Sequence, residues 1–276
     1  MTGQSPWNLD DPALISAIDE LPFWSAPFGE VLLETVHLRR NLKALDLGSG
    51  LGFPALELAQ RLGPSAQVYA LDPWRAAADR LRQKMAQYGL SNVTVVDGTA
   101  ERMPFEDATF DLVTSNNGLN NVQDLRQAWR ECSRVSKPGA QLVLTENLPA
   151  TMEEFYGCFK DTLLDLGFAE CLPTVDAHIY QKRKPLEETR RIISDSGFEV
   201  VAEKRREFIM RFLDGTAMLN AFLIRLAFLP SWKALVPEEE QDRVLQEVEA
   251  DLNRLAAERG ELALTIPFVC LDCRKR

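Results

Sequence analysis

LDLGSGLGFPALELA, residues 45–59, decides the fold. A short apolar run ends at Leu47, Gly48, Gly50 and Gly52 follow directly, and a helix-period segment opens at once behind them. Glycines there permit positive φ and let backbone N–H groups approach a ligand with no Cβ in the way, while the helix N-terminus adds a partial positive charge. The spacing is G-x-G-x-G. A dinucleotide fingerprint is G-x-G-x-x-G, and Phe53 stands where its third glycine would be, which weakens a pyrophosphate reading. Asp72 ends the next apolar run, 20 residues after Gly52. A carboxylate at that place can accept hydrogen bonds from both hydroxyls of a ribose. The competing reading is a helix cap, since Asp-Pro-Trp at 72–74 is a good helix opening; Asp46, Gly48 and Asp72 occurring together and in order favours the ribose.

On either side of this loop, short apolar runs alternate with helix-period segments: KALDL at 43–47, QVYAL at 67–71, VTVV at 93–96, FDLVTS at 110–115 and QLVLT at 141–145. This is the pattern of parallel strands joined by crossover helices. Pro54 lies near the start of the first crossover helix, with Gly63 after its end. The second helix runs from about Trp74 to Gly89, and a third starts near Asp124 and is stopped by Pro138-Gly139. Residues 1–41 read as an N-terminal helical cap, with Trp7, Phe23, Trp24 and Phe28 before the helical stretch GEVLLETVHLRR. Beyond Leu144 come a helix near 151–167, a basic loop QKRKP at 181–185, a helix near 186–196 and a strand-like segment at 197–210. A helical insertion at 213–261 follows, one helix apolar on nearly every face (217–229) and one acidic (238–259), before a last strand LALTIPFVCL at 262–271. No internal repeat is visible.

These features resemble the class I S-adenosylmethionine-dependent methyltransferases. LDLGSGLG at 45–52 is similar to the family's first motif and YALD at 69–72 to its second-strand acidic motif. GTAERMPFEDATFDLV at 98–113 and RVSKPGAQLVLTE at 134–146 are similar to its third-to-fourth-strand and fifth-strand blocks. The resemblance covers residues 43–145. It implies an α/β, Rossmann-like fold: a mostly parallel seven-stranded sheet with an antiparallel last strand and helices on both faces. It also implies S-adenosyl-L-methionine as cofactor. Gly48 and Gly50, with Gly52 in the same loop, would flank its methionyl part, Asp46 would lie near its ammonium group and Asp72 would hold the ribose. Thr99 and Ala100 would border the adenine; many relatives are acidic where this chain has Thr99, so the amino contact would fall to Asp97 or Glu101. Asn116 and Asn117 would sit beside the sulfonium. Trp74 would either pack on the adenine or belong to the core.

The 276 residues, 46% of them hydrophobic and 26% charged, fit one elaborated globular domain: cap at 1–41, cofactor core at 42–146, substrate-side region at 147–212, insertion at 213–261 and last strand at 262–276. A formal net charge of −10 speaks against nucleic acid as partner, as does the lack of an Asn-Pro-Pro-aromatic motif after the fourth strand. Five scattered cysteines and no signal-peptide pattern point to the cytoplasm. The longest apolar run, at 217–229, is too short and too polar to span a membrane, since it carries Asn220 and Arg225. Cys270 and Cys273 form a lone C-x-x-C, a weak zinc signal, so no metal is expected. Methyl transfer from a sulfonium mostly needs alignment and exclusion of water. Where the acceptor must lose a proton, His178 is the preferred base, Glu146 and Tyr156 are further candidates, and His37 reads as a packing or surface residue of the N-terminal helix. Lys182, Arg183 and Lys184 either attract an anionic group or form a solvated loop. The apolar insertion helix is core, a homodimer contact, or a lid over an apolar acceptor. The expectation is therefore methyl transfer to a small, partly apolar molecule. The alternatives are cofactor binding without transfer, and a nicotinamide-dependent oxidoreductase, which the glycine spacing disfavours.

Overall fold

The computed structural model describes residues 7–19 and 24–276; Phe23 lies outside the described residues. In chain order the elements are α1 (Pro12–Asp19), α2 (Ala26–Thr35), β1 (Lys43–Leu47), α3 (Ala55–Leu62), β2 (Gln67–Asp72), α4 (Arg75–Tyr88), β3 (Val93–Asp97), β4 (Phe110–Asn116), α5 (Leu125–Val135), β5 (Ser136–Asn147) and α6 (Glu153–Asp165). They continue with α7 (Leu172–Lys182), α8 (Leu186–Asp195), β6 (Phe198–Phe212), α9 (Gly215–Asn220), α10 (Phe222–Ala227), α11 (Leu229–Lys233), α12 (Gln241–Arg259) and β7 (Leu262–Lys275). The strands form one seven-stranded sheet in the order β3-β2-β1-β4-β5-β7-β6. Pairing is parallel from β3 through to β5, and β7 runs antiparallel to β5, as the resemblance implied.

The chain divides into two compact units. The larger comprises Leu9–Asn147, Pro185–Arg206 and Phe268–Arg276, and the other Met1–Asn8, Leu148–Lys184 and Glu207–Pro267. In the larger unit β1 is buried at every position but its first, and it pairs with β2 on one side and β4 on the other. Strands buried on both faces read as continuous apolar runs, which is why the sequence located them so closely. Ala44, Val68, Leu81, Leu112 and Val143 join Leu32, Leu58 and Leu62 of the flanking helices in one apolar cluster. Phe28 is fully buried, its ring 4.6 Å from that of Phe268. In the smaller unit Phe155 of α6 stacks on Trp232 of α11 at 3.7 Å, and Trp7 meets Phe222 edge-on at 5.6 Å.

Several elements depart from the sequence reading. α2 stops at Thr35 because Val36 is extended, so His37 is exposed beyond the helix and its backbone N–H donates to Gln141 Oε1 at 2.9 Å. α5 starts as expected, with the Asp124 carboxylate accepting the Gln127 N–H at 3.0 Å. It ends at Val135, ahead of Pro138-Gly139, which fall in a register shift of β5 against β4. The supposed basic loop is partly helix: Gln181 and Lys182 complete α7, and Arg183 behind them is buried. The helix read at 217–229 is broken into α9, α10 and α11 by an extended Ala221 and by Pro230. Each break re-aims the chain, so one helix need not bury all its faces; Met218, Ile224 and Trp232 are the fully buried side chains of the three segments. β7 continues past Leu271 to Lys275, with Cys270 and Cys273 on it. Strand side chains alternate faces, so a spacing of three puts these two thiols on opposite sides of the sheet and they cannot share one ion.

Gly52 is where helix and sheet come closest. At φ +103 a Cβ would stand 2.4 Å from Leu81 Cδ1 and 3.0 Å from Leu56 Cδ1. Gly52→Ala combines left-handed strain with overpacking, and it is expected to lower stability by about 2 kcal/mol in a urea unfolding curve read by circular dichroism.

Candidate functional site

The carboxyl ends of β1, β2, β3 and β4 meet where the strand order reverses direction about β1, the place at which open α/β sheets bind ligands. A cavity of about 650 Å³ opens there, lined among others by Gly48, Leu71, Asp72, Thr99, Ala100 and Asn117. That volume suits a nucleoside-sized ligand.

The cavity is kept open by chain that cannot carry side chains. Gly48 has φ +74 and its missing Cβ would stand 3.0 Å from Gly118 Cα; a Cβ on Gly118 would stand 2.4 Å from the Leu47 carbonyl oxygen. Gly50, at φ +46, faces open space. Asp72 anchors the loop: its Oδ2 accepts the Gly50 N–H at 2.8 Å and its Oδ1 accepts the Trp74 N–H at 2.8 Å. The carboxylate therefore braces the turn into α4 and also lines the cavity. Each oxygen keeps a further lone pair for a ligand hydroxyl.

Asp46 lies behind the loop, fully buried. The Thr114 hydroxyl donates to its Oδ1 at 2.7 Å, and its Oδ2 has no partner. Burial pushes this carboxyl up to about 7 against the Thr114 hydrogen bond, and the neighbouring Asp72 charge adds to the rise. Asn117, at φ +56, lines the cavity, and neither its Oδ1 nor its Nδ2 has a partner. Orphaned buried polar atoms and a cradle that a Cβ would fill fit a ligand bearing an ammonium and hydroxyl groups.

Of the remaining expected site residues, Glu101 lines the cavity and the others do not. Gly52 packs on Leu56 and Leu81 and serves the fold. Asn116 is held on both sides, its Nδ2 donating to the Ser25 carbonyl at 3.0 Å and its Oδ1 accepting from Thr145 Oγ1 at 2.8 Å. Trp74 is half-buried, its indole N–H on the Leu9 carbonyl at 3.0 Å. Asp97 pairs with Arg75 at 2.6 Å, whereas Glu101 lines the cavity and accepts the Gln123 N–H at 2.8 Å. The sequence reading assigned no site residue in the far wall, formed by Gly118, Leu119 and residues 121–124 with Gln127. The G-L after the two asparagines was the available signal, because a glycine facing Leu47 closes the cradle from the β4 side.

His178 belongs to α7 in the smaller unit, its ring 6.3 Å from that of Tyr156, whose hydroxyl accepts the Trp232 indole N–H at 3.1 Å. Burial first, then the charges of Arg183 and Lys182, push the His178 imidazole down to about 4. Glu146, at the end of β5 in the larger unit, moves the other way: burial raises it to about 7 against the Thr189 hydroxyl, and its Oε1 has no partner.

Comparison with known proteins agrees with this geometry. Residues 45–144 match the methyltransferase domain family. The demethylmenaquinone methyltransferases of Anoxybacillus flavithermus and Geobacillus stearothermophilus are similar, at 37% identity over 45% of this chain and 52% of the relative, and 35% over 45% and 53%. The chain thus spans about half the length of these curated relatives. Among solved structures, the YcgJ protein from Bacillus subtilis superposes with a TM-score of 0.60 at 17% identity, covering 91% of this chain and 99% of that one. A SAM-dependent methyltransferase from Aquifex aeolicus superposes with a TM-score of 0.51 at 22% identity, covering 70% and 91%. Over residues 45–144 the chain is thus similar to methyltransferase domains, and it shares the fold of these solved structures.

Because Asp46 and Glu146 are both raised to about 7, the folded protein keeps protons that the unfolded chain has released above about pH 4. Their contribution to stability is therefore complete below pH 4 and is lost as the pH rises through 7. Melting temperatures between pH 5 and 7.5 should fall with pH in the wild type and fall less steeply in Asp46→Asn.

Proposed function

We propose that this protein transfers a methyl group from S-adenosyl-L-methionine to a small, partly apolar acceptor. The observation that carries the reading is the cavity at the strand ends, where Gly48, Asp72 and Asn117 meet in the order of the methyltransferase motifs. When bound, S-adenosyl-L-methionine supplies an electrophilic methyl group on a sulfonium whose departure leaves a neutral thioether. The chain's own part is to hold and orient. Asp72 accepts the ribose hydroxyls with the lone pairs left over from bracing Gly50 and Trp74. Leu71, Ala100 and Leu119 give the base an apolar wall, and Thr99 and Glu101 supply polar atoms at its edge. The Asn117 amide has both a donor and an acceptor to offer. Asp46 supplies buried negative potential behind the glycine loop, and a cationic ligand in front of it favours its ionised form.

For an acceptor that must lose a proton, Glu146 at about 7 matches neutral solution, whereas His178 at about 4 is a weak base. The acceptor class rests on the names of the relatives, which state a demethylated menaquinone, an apolar quinone. Among the described residues no helix is long and apolar enough to cross a membrane, and the five cysteines are unpaired, which supports a cytoplasmic reading.

Calorimetric titration should give micromolar binding of S-adenosylmethionine and S-adenosylhomocysteine and none of NAD. Asp72→Asn, which keeps an acceptor for the turn but loses the charge, should weaken both adenosyl ligands by about 10- to 100-fold. Binding of NAD alone overturns the cofactor. With binding established, methyl transfer to quinols and phenols is expected. Activity confined to nucleic acid or protein overturns the acceptor class, and binding with no transfer to any acceptor leaves a cofactor-binding protein.

A further inference from the structure

The smaller unit contains a buried positive charge with no negative partner. Arg183, the residue that closes α7, is only 6% exposed, and its Nη1 is fully buried without a hydrogen bond. Its guanidinium carbon stands 5.3 Å from the centroid of the Tyr156 ring. Among the described residues no carboxylate pairs with it, and no helix carbonyl takes its side-chain N–H groups. The acid nearest in sequence, Glu187 on α8, is paired with Arg190 at 2.5 Å, and Asp176 on α7 is paired with Lys160 at 2.5 Å. The neighbouring Lys184 is a cation too and supplies no negative charge; its ammonium lies 4.2 Å from the Tyr180 ring centroid. His178, the other titratable group at Tyr156, is neutral at pH 7.

Stacking on one tyrosine face offsets only part of the cost of taking a guanidinium out of water. Buried charges in folded proteins are paired or bind ions. A planar guanidinium with free N–H groups is also the side chain best shaped for two oxygens at once.

We propose that Arg183 is an anion-binding residue that receives a carboxylate or phosphate group of a small-molecule ligand. The ligand is then an amphiphile with one anionic end.

The test needs no cofactor, so its failure is separable from failure of the transferase reading. Benzoate and phenyl phosphate, with benzyl alcohol as the uncharged control and chloride to match ionic strength, are titrated into the full chain while melting temperature and histidine proton resonances are followed. The chain has 2 histidines, so the His178 Cε1–H signal can be distinguished from that of exposed His37. At least one of the two anions should raise the melting temperature and move the His178 signal but not that of His37. In Arg183→Met both responses should weaken by at least about tenfold in concentration, and Arg183→Lys should retain part of them. Without anion, Arg183→Met should be as stable as the wild type or more stable, because it removes an uncompensated charge. A response to benzoate alone assigns a carboxylate, and one to phenyl phosphate alone a phosphate. No response to either, a response equal to that to benzyl alcohol, or an undiminished response in Arg183→Met overturns the proposal.

Discussion

The site depends on one carboxylate. Asp72 stands at the end of β2, yet its two oxygens hold backbone N–H groups on either side of the cavity, Gly50 from the loop after β1 and Trp74 at the entry to α4. Without that bridge the glycine loop would be free to sample the many conformations that glycines allow. With it, an otherwise soft segment has one geometry, and the side chain that fixes the geometry also lines the cavity. The turn-bracing role of Asp72 and the ribose role proposed for it would therefore use one group. Its charge also reaches the buried Asp46 behind it, so the electrostatics of the loop and of the strand beneath cannot be set independently.

The parallel core was legible because its strands are buried on both faces and its crossover helices carry ordinary stop signals. β1 begins and ends where the apolar run KALDL does. Part of the cavity lining was legible for a related reason: Gly48, Asp72, Thr99, Ala100 and Asn117 lie at strand ends, and strand ends are what alternating apolar runs mark. Illegible was anything decided by packing between distant segments. Asn116 and Asn117 are adjacent in sequence, but a positive φ at Asn117 turns one toward the cavity while Thr145 and Ser25 hold the other. The glycine-loop spacing implied a close approach without saying of what; Gly52 proved to serve helix packing and Gly48 the cradle.

The region beyond β5 was harder still. Its helices are short, and an apolar run of one length serves equally as one long helix or as three short ones until Ala221 and Pro230 are placed. Arg183 shows the same limit for charge. Three consecutive basic residues read equally as an anion-attracting group or as a solvated loop, and only the structure shows that a helix ending at Lys182 leaves Lys182 exposed and carries the next residue into the aromatic cluster of Tyr156. The same shift of environment lowers His178 and leaves Glu146, in the other unit, as the group whose proton affinity matches neutral solution.

The two units are not two stretches of chain. The backbone passes between them after Asn8, Asn147, Lys184, Arg206 and Pro267, and the last two passages fall inside β6 and β7. The larger unit, which holds the whole cavity, is therefore completed by a strand made more than a hundred residues after β5, its pairing partner. On the ribosome the cavity-forming strands are synthesised early, but the edge of β5 stays unpaired until β7 emerges. Closing so long a loop makes this pairing a slow step of folding. The net charge of −10 then disfavours association of copies through the exposed strand edge during that wait.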